Sequence, residues 1–226
     1  AIAAMGVSLG SIVWPFIAAG MMDNYGWRMA LVTVAGLLFL GLAVPIYFFV
    51  PHDIGKSEVE SSEAITEPDN SFLRQRAFWL IGISASIIFN AALLSGICYA
   101  PHFSKMGFSN TEIATFLAAG GFGGLSGKLM VATYADRYIT KIRWLAVATA
   151  VLMVAGYSTL IVAESYYVAI AATVMIGCAG GAFIPLHPFL NSAYFDSETM
   201  GRVSGAQAPM MLPLGLVTAP AAGYVF

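Results

Sequence analysis

The charged side chains that could carry chemistry in this sequence lie close together, between positions 127 and 141. This stretch reads GKLMVATYADRYITK and contains Lys128, Asp136, Arg137 and Lys141, although only 10% of the whole chain is charged. A lysine ammonium binds carboxylates and other anions through its three N–H donors. No metal-ligand spacing, nucleophilic triad or phosphate-binding loop accompanies these residues, so the sequence predicts neither an enzyme nor a cofactor.

The composition predicts a helical membrane protein. Of the 226 residues, 59% are hydrophobic, and a soluble domain would carry about 25% charged residues. Seven apolar runs are each long enough to cross a bilayer core of about 30 Å as a helix. None alternates as a strand of a membrane barrel would. The predicted fold class is therefore all-α and polytopic, with spans at residues 1–22, 29–50, 77–100, 112–133, 145–163, 167–190 and 204–226.

The positive residues between these runs predict the orientation. The odd-numbered loops contain two Lys or Arg residues and the even-numbered loops contain seven. Because positively charged loops stay on the cytoplasmic side, residues 51–76, 134–144 and 191–203 are predicted to be cytoplasmic in a multi-pass protein of the cell membrane. The net charge of −2 is uninformative about partners, and no basic patch suggests nucleic acid. The apolar runs make the lipid bilayer the predicted partner.

The loop at 51–76 is long and divides the chain into two helical pieces. It contains six acidic residues, two prolines and several serines, a composition typical of a solvated linker. Residues 1–50 are then a two-helix piece and residues 77–226 a five-helix piece. Since apolar runs reach both ends of the chain, we expect it to belong to a longer protein with further N-terminal helices.

Small residues recur at a spacing of four in two of the predicted helices. Gly6 and Gly10 lie in the first, and Gly120 and Gly124 lie in the fourth. Such pairs let helices approach closely in a membrane. The pattern indicates either tight packing alone or helices that must slide or rock against each other.

A short pattern relates the first and last predicted helices. The first contains GSIVWP, from Gly10 to Pro15, and the last contains GLVTAP, from Gly215 to Pro220. Internal repeats and interrupted helices are typical of transporters. If the two helices correspond, the repeat unit is six helices and a complete protein has twelve.

The loop sequence ATYADRYITK, residues 132–141, resembles the cytoplasmic loop motif of the major facilitator superfamily, G-x-x-x-D-R-x-G-R-[KR]. Asp136, Arg137 and Lys141 match this motif, while both glycines and the second arginine are replaced. In this superfamily the motif follows both the second and the eighth helix, and the two halves are joined by a long central loop. Because the long loop of this chain lies two segments before the motif, the resemblance implies the copy after the eighth helix. The chain would then cover helices five to eleven of twelve. The resemblance implies a gate at these three residues, closing against residues 1–6; ordinary charge at a helix flank is the alternative.

Within that superfamily, the chain is similar to the monocarboxylate porters and oxalate/formate antiporters. The similarity lies in AMGVSLG at 4–10, DNYGWR at 23–28 and GRVSGAQ at 201–207. It implies secondary active transport of a small organic anion, by proton symport or anion exchange. A facilitator of a neutral solute, sugar or drug is the alternative. A rhodopsin-like protein is a remote alternative, because the last segment has no lysine for a Schiff base.

Lys128 is the predicted anion-binding residue. A charge within a span costs about 2.5–3.5 kcal/mol and usually faces a cavity or a partner. Gly124 and Gly120, one and two turns earlier, leave open space on the same face; snorkelling to the lipid headgroups is the alternative. A single cation suits a monoanion better than a dianion. Three further side chains are candidates for substrate contact, with structural hydrogen bonds as the alternative for the polar two: Asn90, Phe183 and His187.

Overall fold

The computed structural model describes residues 2–49, 70–134 and 141–225, and all regular structure in them is helical. This confirms the predicted all-α class. Short helical segments lie at Phe39–Ala43 (π), Ser71–Arg74 (3₁₀) and Ala208–Met210 (3₁₀). The helices are α1 (Ile2–Leu38), α2 (Val44–Phe49), α3 (Arg76–Lys105), α4 (Asn110–Tyr134), α5 (Ile142–Ile161), α6 (Tyr166–Tyr194), α7 (Ser197–Gln207) and α8 (Met211–Val225).

Four helical stretches in the described residues are long and apolar enough to cross a membrane: Met5–Phe48, Arg76–Lys105, Ile142–Ile161 and Tyr166–Tyr194. The first has 44 residues, or about 66 Å of helix, which is twice what a bilayer core requires. The backbone leaves helical geometry within it at Gly26, with φ 79° and ψ 168°. Only glycine adopts such a φ readily, so the break falls in the predicted loop between the first two spans.

The last predicted span is interrupted in the structure. It was expected as one run over 204–226, whereas α7 ends at Gln207 and α8 begins at Met211 after a 3₁₀ turn. Pro209 and Pro213 have no backbone N–H to donate to the preceding turn, which explains the change of helix type. The fourth predicted span corresponds to α4, whose glycines and Lys128 lower its mean hydropathy.

The chain divides into two compact units, Ala1–Ile17 with Phe72–Phe226, and Ala18–Ser71. The described helices of the second unit expose many large apolar side chains, including Trp27, Phe39 and Tyr47. Such a surface is typical of helices surrounded by lipid. Most of the predicted linker, residues 51–69, lies outside the described residues, and the division at 51–76 stays a prediction.

In the first unit, α4 and α6 pack with their backbones in contact. A Cβ on Gly177 would collide with the carbonyl oxygen of Gly120, and a Cβ on Gly181 would collide with that of Gly124. Only glycine on both helices permits this distance, as in other small-residue contacts between membrane helices. Two more α4 glycines face α6 carbonyls in the same contact, Gly123 at Val174 and Gly127 at Cys178.

The other glycines and prolines of the predicted packing set lie in looser surroundings. No described atom outside its own helix turn lies within 4 Å of where a Cβ on Gly6 would be. Gly10 faces the Trp14 side chain of its own helix, and Gly215 faces Asn90. Pro15 lies inside α1 and Pro220 inside α8, so both remain within helices.

Two clusters of buried apolar side chains hold the first unit together. One includes Phe78, Leu186 and Val203, from α3, α6 and α7. The other includes Phe103 of α3 and Phe116 of α4, whose ring centroids lie 4.2 Å apart. These clusters fix the two ends of the bundle, and the candidate site lies between them.

Candidate functional site

Helix α4 carries the central residue of the site, and its start is fixed by a capping box. The Ser109 N–H donates to Glu112 Oε2 at 2.8 Å, and the Glu112 N–H donates to Ser109 Oγ at 3.4 Å. The helix then continues without interruption to Lys128. Because residues four apart share a face, Gly120, Gly124 and Lys128 line one side of α4.

The Lys128 ammonium is buried against a neutral hydroxyl. The residue is 2% exposed, and its Nζ donates to Ser8 Oγ of α1 at 2.6 Å. Among the described residues, Lys128 has no other hydrogen-bond acceptor and no acidic partner. A buried cation without a counter-ion is costly, and two of its three N–H donors remain for another acceptor.

The direction of the Lys128 side chain distinguishes anion binding from snorkelling. Helical side chains lean towards the helix N-terminus, so Lys128 extends over Gly124 and away from the end of α4. A Cβ on Gly124 would lie 3.3 Å from Ser8 Oγ, in the space through which the lysine reaches Ser8. Snorkelling to the headgroups requires an exposed ammonium, whereas the structure places it inside the bundle.

A cavity of about 380 Å³ opens beside Lys128. Phe183 of the first apolar cluster and Ile176 of the second both line it, so it lies between the two. Lys128 is the one charged residue among the described residues that line it. The other polar residues of its lining are hydroxyl side chains from α1, α3 and α6: Ser8, Ser11, Ser95, Tyr99 and Thr173.

Most of these hydroxyls already donate to helix carbonyls. Ser11 Oγ donates to Ser8 O at 2.9 Å, and Thr173 Oγ1 donates to Ile170 O at 2.9 Å. The Tyr99 hydroxyl is buried and has no hydrogen-bond partner among the described residues. Among the described residues, the cavity walls therefore combine one cation that has no counter-ion with largely apolar surface.

The chain matches the profile of the Major Facilitator Superfamily over residues 1–220. It belongs to this superfamily. The resemblance found in the loop motif is thereby confirmed at the level of the superfamily, and the protein is a multi-pass secondary transporter and not an enzyme. Searches of curated proteins and of solved structures found no match.

Three residues of this facilitator were predicted to contact substrate. Phe183 lines the Lys128 cavity, whereas Asn90 and His187 are not among the described residues that line it. Asn90 joins α3 to the start of α8, because its Nδ2 donates to Ser86 O at 2.9 Å and to Met211 O at 3.1 Å. His187 stacks on Phe183, with 6.2 Å between ring centroids. Substrate contact by Asn90 or His187 stays a prediction.

His187 belongs to a buried hydrogen-bond network around Gln207, at the end of α7. Gln207 Oε1 lies 2.9 Å from His187 Nε2 and accepts from Asn191 Nδ2 at 2.9 Å. Gln207 Nε2 donates to Phe78 O at 3.0 Å. With the amide assigned this way, His187 Nε2 is the donor. The network joins α3, α6 and α7, which makes Gln207 a central structural residue of the facilitator.

The predicted gate is only partly described. Lys141 is exposed and immediately precedes α5. Asp136 and Arg137 lie outside the described residues, so closure against residues 1–6 stays a prediction. Among the described residues, no group of three or more His, Cys, Asp or Glu side chains could hold a metal ion.

Four residues of this site and of the helix packing around it were not predicted from the sequence. Gly177 and Gly181 have the same four-residue spacing as the α4 glycines, and that signal could have identified them. Ser8 is one of several serines in apolar runs, and nothing in the sequence distinguishes it. Gln207 ends the GRVSGAQ stretch, but the sequence does not reveal its hydrogen-bond partners because they lie on other helices.

We expect Gln207→Ala to lower the free energy of unfolding by about 2–3 kcal/mol, since buried groups that lose their partners cost about 1–3 kcal/mol each. The substitution removes the acceptor of Asn191 and His187 and the donor to the Phe78 carbonyl. Denaturant unfolding of the purified protein in detergent measures the change. Gln75→Ala is the control, because Gln75 is exposed and makes no side-chain cap. Equal effects of the two substitutions would contradict the structural role.

Proposed function

We propose that this facilitator transports small organic monoanions of the monocarboxylate type, with Lys128 binding the carboxylate. One observation carries the proposal: a buried ammonium that has only a neutral hydroxyl as its partner among the described residues lies beside a cavity of about 380 Å³. A carboxylate would supply the missing negative charge. It would also accept the remaining N–H donors in charge-assisted hydrogen bonds, which are stronger than neutral ones.

The cavity walls favour a monoanion over a dianion such as oxalate. A second carboxylate would meet no second cation among the described lining residues, and most of the hydroxyls there already donate to helix carbonyls. Burying an unpaired charge in such surroundings is strongly unfavourable. An anion with one carboxylate and a small apolar or hydroxylated body fits this lining better. Transport by proton symport or by anion exchange is compatible with the site.

The placement of the site follows from the proposed position of the chain in the superfamily. We propose that the spans are helices five to eleven of a twelve-helix transporter, with residues 51–76 as the cytoplasmic linker between its halves. The loop motif and the distribution of positive loops support this assignment. Lys128 then lies in helix eight, and the loop with Asp136, Arg137 and Lys141 forms the cytoplasmic gate below it.

Uptake into proteoliposomes containing the full-length protein tests the substrate class. Labelled lactate and formate are expected to enter with saturable kinetics, oxalate at least about tenfold more slowly because its second charge is unpaired, and glucose not at all. An inward proton gradient accelerates uptake if the mechanism is symport, and internal unlabelled anion accelerates it if the mechanism is exchange.

Two outcomes would contradict the proposal. Glucose uptake without anion uptake would identify a carrier of neutral solutes. Oxalate uptake as fast as that of lactate would show that a second cationic site exists and that the substrate class is wider than monoanions.

A further inference from the structure

The contact between Lys128 and Ser8 joins two helices that are far apart in sequence. Ser8 lies in α1, 120 positions before the lysine, and its Oγ accepts from Nζ at 2.6 Å. Both residues are buried, at 3% exposed for Ser8 and 2% for Lys128. Both also line the cavity. The ammonium is therefore held at the boundary between α1 and α4 and not by its own helix alone.

The position of Ser8 is set by backbone contact between these helices. A Cβ on Gly121 would lie 2.9 Å from the Ser11 carbonyl carbon and 3.0 Å from the Ile12 nitrogen, so α1 lies directly against α4 there. One turn further along α4, a Cβ on Gly124 would lie 3.3 Å from Ser8 Oγ. Serine is also short, with one side-chain torsion before its oxygen. Ser8 Oγ is accordingly a fixed acceptor above Gly124.

We propose that Ser8 is a positioning residue for anion binding, an inference that rests on the proposed function. Its hydroxyl holds the Lys128 ammonium over Gly124, so that the other N–H donors are available to an anion in the cavity. A lysine side chain loses considerable rotamer freedom when it is fixed. Ser8 fixes it before the substrate arrives, and such preorganisation increases affinity.

The anion site is then shared between α1 and α4. The anion binds with full affinity only while α1 and α4 are in contact, because the acceptor is on one helix and the cation on the other. Movement that separates α1 from α4 would release the ammonium from Ser8 and lower affinity for the anion. Ser8 thereby relates substrate affinity to the relative position of the two helices.

Lactate uptake by Ser8→Ala in proteoliposomes of the full-length protein tests this role. The KM for labelled lactate is expected to rise about tenfold, as for the loss of a hydrogen bond to a charged group, while the maximal rate stays within about twofold. Ser8→Thr keeps the hydroxyl and is expected to restore KM to within about threefold. Ser126→Ala is the matched control, since Ser126 lies on α4 near Lys128 and donates to a backbone carbonyl but does not line the cavity.

The outcomes distinguish this inference from the proposed function. If Ser8→Ala leaves KM unchanged, or lowers only the maximal rate, while Lys128→Ala loses uptake, the positioning role is wrong and the anion site stands. If Ser8→Thr is impaired as much as Ser8→Ala, or Ser126→Ala raises KM equally, the effect does not come from the hydroxyl that accepts from Lys128 and the inference is overturned. If Lys128→Ala takes up lactate as the wild type does, both proposals fail. A thermal unfolding midpoint for Ser8→Ala equal to that of the wild type shows that the variant is folded.

Discussion

Replacing Lys128 with glutamine is expected to reduce the rate of monocarboxylate uptake at low substrate concentration by about a hundredfold or more. Glutamine keeps a similar length and a donor for Ser8 Oγ but removes the charge. Truncating one partner of a buried charge pair costs about 2–5 kcal/mol, and each 1.4 kcal/mol is a factor of ten. The measurement is the initial rate of labelled lactate uptake into proteoliposomes at matched protein density.

Two further substitutions locate this effect at the buried ammonium. Lys105→Gln makes the same change at the exposed end of α3 and is expected to leave uptake within about twofold of wild type, because Lys105 does not line the cavity. Lys128→Arg keeps the charge, but its larger planar group must fit above Gly124, so intermediate uptake is expected. Wild-type uptake by Lys128→Gln would show that the anion is bound elsewhere.

Gly181→Ala is expected to destabilise the protein strongly. Its Cβ would collide with the Gly124 backbone, including the carbonyl oxygen, and a helix backbone cannot move aside as a flexible side chain can. Overpacking typically costs about 1–3 kcal/mol, and here the two helices must separate along their shared glycine face. We expect a clearly lower thermal unfolding midpoint and reduced transport, because Gly124 lies below the ammonium.

The neighbouring glycine of the same helix provides a matched control. A Cβ on Gly180 would lie 3.5 Å from Ala92 Cβ and 3.7 Å from Met153 Cε, which is ordinary van der Waals contact. Because alanine favours helix over glycine by about 1 kcal/mol, Gly180→Ala is expected to be neutral or stabilising. Thermal unfolding of both variants in detergent makes the comparison. A Gly181→Ala protein as stable as Gly180→Ala would contradict the backbone contact between α4 and α6.

The fold class and the superfamily could be predicted because their signals are local or averaged over long segments. Apolar runs of bilayer length identify membrane helices from composition alone, and the DNYGWR stretch carries the glycine at which the backbone leaves helical geometry. The last span was predicted less well. Its interruption comes from two prolines that act on individual hydrogen bonds.

The candidate site could be predicted only in part. Lys128 was identified because a charge in an apolar helix is costly wherever the helix faces. The roles of Asn90 and His187 depend on which way each helix is rotated. α3 and α6 have apolar residues on every side, so no polar stripe fixes their rotation in the sequence. The structure shows Asn90 bound to the Met211 carbonyl and His187 next to Gln207.

The sequence by itself determined that this protein is a helical membrane transporter of the facilitator type with one cation within a predicted span. Tertiary structure alone decided what surrounds that cation. Ser8 meets Lys128 because Gly121 and Gly124 let α1 lie against α4. Glycines of α4 and α6 bring these two helices into backbone contact and also line the cavity. These are contacts between positions tens to more than a hundred residues apart, and they depend on helix rotation and close packing, which local residue patterns do not encode.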